Sequence, residues 1–282
     1  MNANSKPLAL PRTINDWLTD TTARLHEAGI SSARLDAELI LAHAIGKDRS
    51  WVIAHDGEVF DDAEKRHLAN TLATKRLHRV PIAYLTGSRE FYGRKFRVTS
   101  DVLIPRPETE VLVEKLLSLT LENNPTVHEV GTGSGCIAVT VALEMPGAHV
   151  SASDISPLAL KVAEANALSL DADVDFYESD LLDFATSTGH MDVIVANLPY
   201  VDETWARSPE TDHEPSLALF ADEHGLALIT KLIGQSESRL VPGGYLLLEA
   251  DPVQHADIIK TGAAHGLRSV EADDYVVVLR RD

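Results

Sequence analysis

Val127-His128-Glu129-Val130-Gly131-Thr132-Gly133-Ser134-Gly135-Cys136-Ile137-Ala138 is the stretch that decides the fold. An apolar run that reads as a strand enters a loop with glycine at every second position. An apolar segment holding Ile137, Val139, Val141 and Leu143, read as a helix, leaves it. Glycines let the backbone turn sharply and approach a ligand closely. Counted from Gly133, the loop also satisfies a loose Gly-x-Gly-x-x-Ala dinucleotide fingerprint ending at Ala138, so the glycines leave the cofactor open. Asp154 ends the next strand, 23 residues after Gly131, where a carboxylate can accept hydrogen bonds from both hydroxyls of a ribose. NAD and S-adenosylmethionine both carry that ribose. Asp180, in Glu178-Ser179-Asp180-Leu181 after the third strand, is placed to meet an adenine amino group. The competing readings are a helix cap for Asp154, before Ser156-Pro157, and an ordinary loop acid for Asp180.

Strand and helix alternate on the C-terminal side of this stretch. Strands are expected at 126–130, 148–153, 173–177, 192–196, 244–249, 267–271 and 274–279. Helices are expected at 134–144, 157–168, 224–239 and 253–265. Such alternation implies a mostly parallel sheet covered on both faces. The short gap between the last two strands allows a hairpin but no crossover, which makes one edge antiparallel. The N-terminal side differs. After a loose tail at 1–11, Thr13 with Asp16 caps a helix that Gly29 ends. A second helix carries Leu35, Leu39, Ala42 and Ile45 and closes at Gly46. A third runs through Trp51 and Ile53, and a fourth through Leu68 and Leu72. Phe91, Phe96 and Val98 around Gly93 suggest a hairpin, and Pro107 opens a helix carrying Val111, Val113, Leu116 and Leu117. The expected organisation is a helical domain over 1–87, a hairpin linker over 88–105 and an α/β domain over 106–282.

The chain has 282 residues, is 44% hydrophobic and carries a formal charge of −18. That charge argues against binding nucleic acid through phosphates. A single cysteine, Cys136, excludes an internal disulfide and reads as a small core hydrophobe. The histidines show no metal-ligand spacing, so no metal is expected. No apolar run is long enough to span a membrane, and a cytoplasmic location is expected.

The strand 192–196 runs into Asn197-Leu198-Pro199-Tyr200. Pro199 fixes φ and pushes Leu198 out of the helical region, so the Leu198 carbonyl can point away from the strand. With the Asn197 carboxamide it offers two acceptors, which suit a planar –NH2 group. Tyr200 can wall that group by stacking. A plain strand-to-turn exit is the competing reading.

Together these stretches resemble the release-factor glutamine methyltransferase family over nearly the whole chain. The resemblance rests on Leu85-Thr86-Gly87 with Glu90-Phe91-Tyr92, Leu103-Ile104-Pro105-Arg106-Pro107-Glu108-Thr109-Glu110, the glycine loop, Asp154-Ile155-Ser156, Asn197-Leu198-Pro199-Tyr200, and Glu214-Pro215 before Ala218-Leu219. It implies a class I methyltransferase domain, Rossmann-like, behind a small all-α domain that recognises the substrate. The implied cofactor is S-adenosylmethionine, held by Gly131, Thr132, Gly133, Ser134, Gly135, Asp154, Asp180, Leu181 and Asn197. The implied substrate is the glutamine of the Gly-Gly-Gln loop of class 1 peptide chain release factors, bound as a protein by a monomeric enzyme and methylated on its side-chain nitrogen. Asn197, Leu198, Pro199 and Tyr200 would carry the chemistry, with Phe91 facing Tyr200 across the substrate. Arg106 would brace cofactor or substrate, or form a structural salt bridge. Three positions depart from the family pattern: Glu129 replaces the usual Asp, Leu198 the usual Pro, and Ala272-Asp273-Asp274-Tyr275 a usual acid-to-Arg ending. Methylation of a ribosomal-protein glutamine would need the same site. A DNA adenine methyltransferase would use a similar Asn/Asp-Pro-Pro-Tyr motif, against which the charge and the lack of a basic domain argue.

Overall fold

The computed structural model describes residues 13–183 and 190–282; the expected tail at 1–11 lies outside them. The chain forms two compact units, residues 1–86 and 87–282. In the first, helices α1 (Ile14–Glu27), α2 (Ala33–Ile45), α3 (Arg49–Ala54), α4 (Ala63–Leu77) and α5 (Ile82–Thr86) follow one another. Thr13 and Asp16 make a reciprocal capping box that satisfies exposed N–H groups at the start of α1. Asp48 and Asp62 cap α3 and α4. The bundle encloses Trp17, Leu18, Leu25, Ile40, Leu41 and Leu72, and Arg76 pairs with Asp36 at 2.7 Å in its interior. Of the apolar positions read at helical spacing, Ala42 and Leu72 are buried and others are not. Leu35, Ile53 and Leu68 are exposed, while Ala37, Ile40, Leu41, Val52 and Ala69 are buried.

In the second unit, β1 (Ser88–Phe91) and β2 (Arg94–Arg97) pair as a hairpin. Then come α6 (Pro107–Leu117), β3 (Thr126–Val130), α7 (Cys136–Glu144), β4 (His149–Asp154), α8 (Pro157–Leu170), β5 (Asp175–Glu178) and β6 (Met191–Ala196). The chain closes with α9 (Ala227–Arg239), β7 (Leu240–Glu249), α10 (His255–Ala264), β8 (Leu267–Asp273) and β9 (Val276–Arg281). Among the described residues the main sheet has seven strands in the order β5-β4-β3-β6-β7-β9-β8. β5 to β7 are parallel, and β9 is antiparallel to both its neighbours. Successive side chains of a strand point to opposite faces. Val193 and Val195 therefore join Leu112, Leu116, Ile137 and Val139 on one face, and Ile194 and Ala196 join Ile229, Leu232 and Ile258 on the other. Apolar runs buried on both faces are what a parallel interior strand requires.

Element ends shift for local reasons. The helix expected from 134 starts at Cys136, because Gly135 is left-handed at φ +80°. The helix expected from 224 starts at Ala227, because Glu223, His224 and Gly225 all have positive φ. The last strand starts at Val276, because Asp274 at φ +47° makes the turn.

Candidate active site

Strand order reverses between β3 and β6: β4 and β5 lie to one side of β3, and β6 and β7 to the other. Open α/β sheets bind ligands outside the carboxyl ends of their strands at such a switch point. Gly131 leaves the tip of β3 and Asn197 leaves the tip of β6, so the two motifs meet there.

The glycine loop is set by backbone shape. Gly131, Gly133 and Gly135 have φ of +74°, +54° and +80°, a region that disfavours side chains. The N–H groups of Gly131 and Thr132 both donate to the Ser153 carbonyl, at 2.8 and 3.0 Å. A Cβ on Gly135 would lie 3.1 Å from the Ala163 backbone, and one on Gly131 would lie 2.9 Å from Leu198 Cδ2. A Cβ on Gly133 would meet nothing within 4 Å, so this glycine borders open space. Glu129 sits beneath the loop, where its Oε2 accepts from the Thr132 hydroxyl at 2.6 Å and from the Ala138 N–H at 2.9 Å. Burial pushes its carboxyl up to about 8, although these hydrogen bonds oppose the shift. Asn166 fastens the loop from outside, its Nδ2 donating to the Ser134 carbonyl at 2.8 Å.

Asp154 accepts from the Gly133 N–H at 2.8 Å and from the Ser156 N–H at 2.9 Å. It is both a turn cap and a brace for the loop, and with the Ile155 N–H as a third backbone donor its roughly four lone-pair sites are not all used. Burial raises its pKa against those backbone bonds. Asp180 is half-exposed and pairs with Lys231 at 2.6 Å. Leu181 is buried at φ +54°. Gly131, Thr132, Gly133, Ser134, Asp154, Asp180, Leu181 and Asn197 line one cleft. An acid with spare lone pairs, an open glycine and apolar walls suit a nucleoside.

A second cleft adjoins it, and Leu103, Arg106, Asn197, Leu198 and Pro199 line both. Asn197 Nδ2 donates to Thr109 Oγ1 at 3.0 Å. That bond uses the donor side of the carboxamide and leaves its oxygen as an acceptor. Leu198 is buried, packed where a Gly131 Cβ would stand. Tyr200 Oη donates to Glu249 Oε1 at 3.2 Å. Glu249 ends β7 at 1% exposure, and burial pushes its carboxyl up to about 7 against hydrogen bonds from Thr109, Tyr200 and Asn197. Burial, and then the Glu249 charge, raise the Tyr200 phenol, which stays neutral. Arg106 pairs with Glu214 at 2.5 Å, and Glu214, buried, also accepts the Ile104 N–H at 3.1 Å. The long 201–222 segment is thereby fastened to the 103–106 segment, with the salt-bridge reading of Arg106 realised at the wall of both clefts.

Phe91 is not at the site. It is 1% exposed, packs edge-on against Phe96 at 6.0 Å and lines neither cleft. Cys136 lies in the core, where burial pushes its thiol up. Among the described residues no group of three His, Cys, Asp or Glu could hold a metal. Glu129 enters the expectations only as a departure from a pattern, and Thr109 only inside a quoted motif. Glu249 escapes them altogether, and its one signal is an acid ending an apolar strand, Leu246-Leu247-Leu248-Glu249.

The family model described as "PrmC N-terminal domain" matches residues 16–87, and "Methyltransferase small domain" matches residues 107–212. The chain is 42% identical to the release factor glutamine methyltransferase of Koribacter versatilis, covering 86% of this chain and 89% of that protein. It is 40% identical to the protein of the same name from Neisseria gonorrhoeae, covering 92% of each. The crystal structure of a methyltransferase from Pyrococcus furiosus superposes with a TM-score of 0.53 at 16% identity, over 76% of this chain and 98% of that one, which shows the shared fold.

Proposed function

Because the chain belongs to the release factor glutamine methyltransferase family, we propose that it methylates the side-chain nitrogen of the Gly-Gly-Gln glutamine in class 1 release factors. S-adenosylmethionine is the donor, and when bound it supplies a methyl group already activated by the sulfonium. The loop Gly131–Gly135 with Asp154 and Leu181 would hold it. The observation that carries the reading is the position of Asn197, Leu198 and Pro199 on the wall shared by the glycine-loop cleft and its neighbour.

An amide nitrogen is a poor nucleophile because its lone pair is delocalised into the carbonyl. The Asn197 oxygen, freed by the bond to Thr109, and the Leu198 carbonyl would accept its two N–H bonds. Fixed acceptors draw charge onto the nitrogen and stabilise the positive charge that develops on it. Tyr200, neutral and tied to Glu249, would wall the amide and keep water out. The proton can leave to water after the transfer, once the site opens, so no general base is assigned. The helical unit would recognise the protein substrate, since remote contacts can supply positioning without chemistry. The net charge of −18 supports a free protein rather than nucleic acid as partner. A monomeric enzyme working in the cytoplasm on a translation factor is the proposed setting; among the described residues no helix is long and apolar enough to cross a membrane.

A methyl-transfer assay with purified release factor, ribosomal protein and DNA side by side tests the reading. Label is expected on the release-factor glutamine alone. Label on either of the others and none on the release factor would overturn it.

A further inference from the structure

Tyr200 is held at both ends by the segment around the exit of β7. Its hydroxyl meets Glu249, and its backbone carbonyl accepts from Gln254 Nε2 at 2.9 Å. The same Nε2 donates to the His224 carbonyl at 2.8 Å, and Gln254 Oε1 accepts the Asp251 N–H at 3.1 Å. Gln254 is 3% exposed. One buried carboxamide therefore uses both amide hydrogens and its oxygen to join three chain segments. No charged side chain offers two donors and an acceptor in one plane. Gly225 completes the arrangement: at φ +83°, its Cβ would overlap the Tyr200 carbonyl and stand 2.6 Å from Gln254 Nε2. Gln254 and Gly225 line neither the glycine-loop cleft nor its neighbour.

We infer that Gln254 is a positioning residue for methyl transfer, fixing the Tyr200 backbone and so the ring that walls the acceptor amide. This rests on the reading of Tyr200 given above. The carbonyl that Gln254 holds belongs to the residue that carries the ring, so a rotation of the backbone there would swing the ring away from the acceptor amide. Displacements of about 1 Å in a reacting geometry cost rate steeply.

The test is a double-mutant cycle. Gln254→Met keeps the length and removes both donors; Tyr200→Ala removes the ring. Single-turnover methylation of release factor and calorimetry with S-adenosylhomocysteine are measured for the full-length wild type, both single variants and the double variant. Gln254→Met is expected to slow transfer about 10-fold or more, with cofactor-product affinity within about twofold. In the Tyr200→Ala background the same change should cost less than about twofold further, because the effect runs through the ring. Equal slowing in both backgrounds, or none in the wild-type background, would overturn the inference. If Tyr200→Ala alone is as fast as wild type, the reading of Tyr200 fails first and the inference falls with it. If Gln254→Met loses S-adenosylhomocysteine binding, Gln254→Asn, which draws the amide back by one methylene, is carried through the same cycle with the same deciding outcomes.

Discussion

The two strand tips that meet at the site are held in opposite ways. The tip of β3 is secured mostly by its own neighbourhood: Glu129 reaches Thr132 and Ala138, three and nine residues on, and the next strand and helix supply Ser153, Asp154 and Asn166. The tip of β6 is secured from far away. Thr109 is 88 residues from Asn197, Glu249 is 49 from Tyr200, and the Arg106–Glu214 pair spans 108. Cradling a cofactor requires a backbone shape, which a short stretch of sequence can encode. Activating an amide requires side-chain acceptors held in place by packing and hydrogen bonds, and only the assembled fold supplies those.

Substitutions at the two tips should therefore fail in different measurements. The largest effect on the β3 side is expected of Gly135→Ala. Left-handed φ costs a side chain about 1–2 kcal/mol, and the Cβ stands 3.1 Å from the Ala163 backbone. Calorimetry should find S-adenosylhomocysteine affinity lowered about 100-fold, the order of strain and overpacking together. Asp154→Ala keeps the three glycines but removes the acceptor of the Gly133 N–H and the carboxylate proposed to meet the ribose hydroxyls, and should weaken the same affinity by about 1–3 kcal/mol. On the β6 side, Thr109→Val keeps the shape and removes the oxygen that orients Asn197. Single-turnover transfer should slow about 10-fold with cofactor affinity unchanged, as expected of a lost support to a preorganised group. A fall in affinity matching the fall in rate would erase the distinction between the two tips.

The smallest effect concerns pH. Burial raises the Glu129 carboxyl from 4.5 to about 8 in the folded chain. Between those values the folded state holds a proton that the unfolded state has released, so this group's contribution to stability falls as pH rises and is lost above about 8. A carboxamide has no such proton. Melting temperatures of Glu129→Gln should decline less than those of wild type from about pH 5 to about pH 8. An unchanged slope would remove Glu129 as a buried, proton-holding support.

The same contrast explains what was legible in the sequence. The strand-loop-helix around Gly131, the acid at Asp154 and the antiparallel edge all follow from local pattern, and the structure has them. In α2 the apolar positions at helical spacing turn inward at Ala42 but not at Leu35, because the helix is apolar around most of its circumference: with Ala33, Leu35, Ala37, Ile40, Leu41 and Ala44 there is no single stripe, and the Leu35 side faces solvent. Phe91 was misplaced because nothing local separates a hairpin ring that faces the core from one that faces a ligand. Asn197 and Tyr200 were visible as a motif, but the donor and acceptor that hold them, Thr109 and Glu249, come from other elements at spacings no periodicity marks.

The central claim is that the tip of β6 carries the chemistry while the tip of β3 carries the cofactor. It is tested most directly by Asn197→Ala, with single-turnover methylation of release factor and S-adenosylhomocysteine affinity measured on the same preparation. The transfer rate should fall by about 100-fold or more, as when one preorganised polar group is removed from a reacting centre, with affinity within about twofold of wild type. Transfer at the wild-type rate would contradict the account.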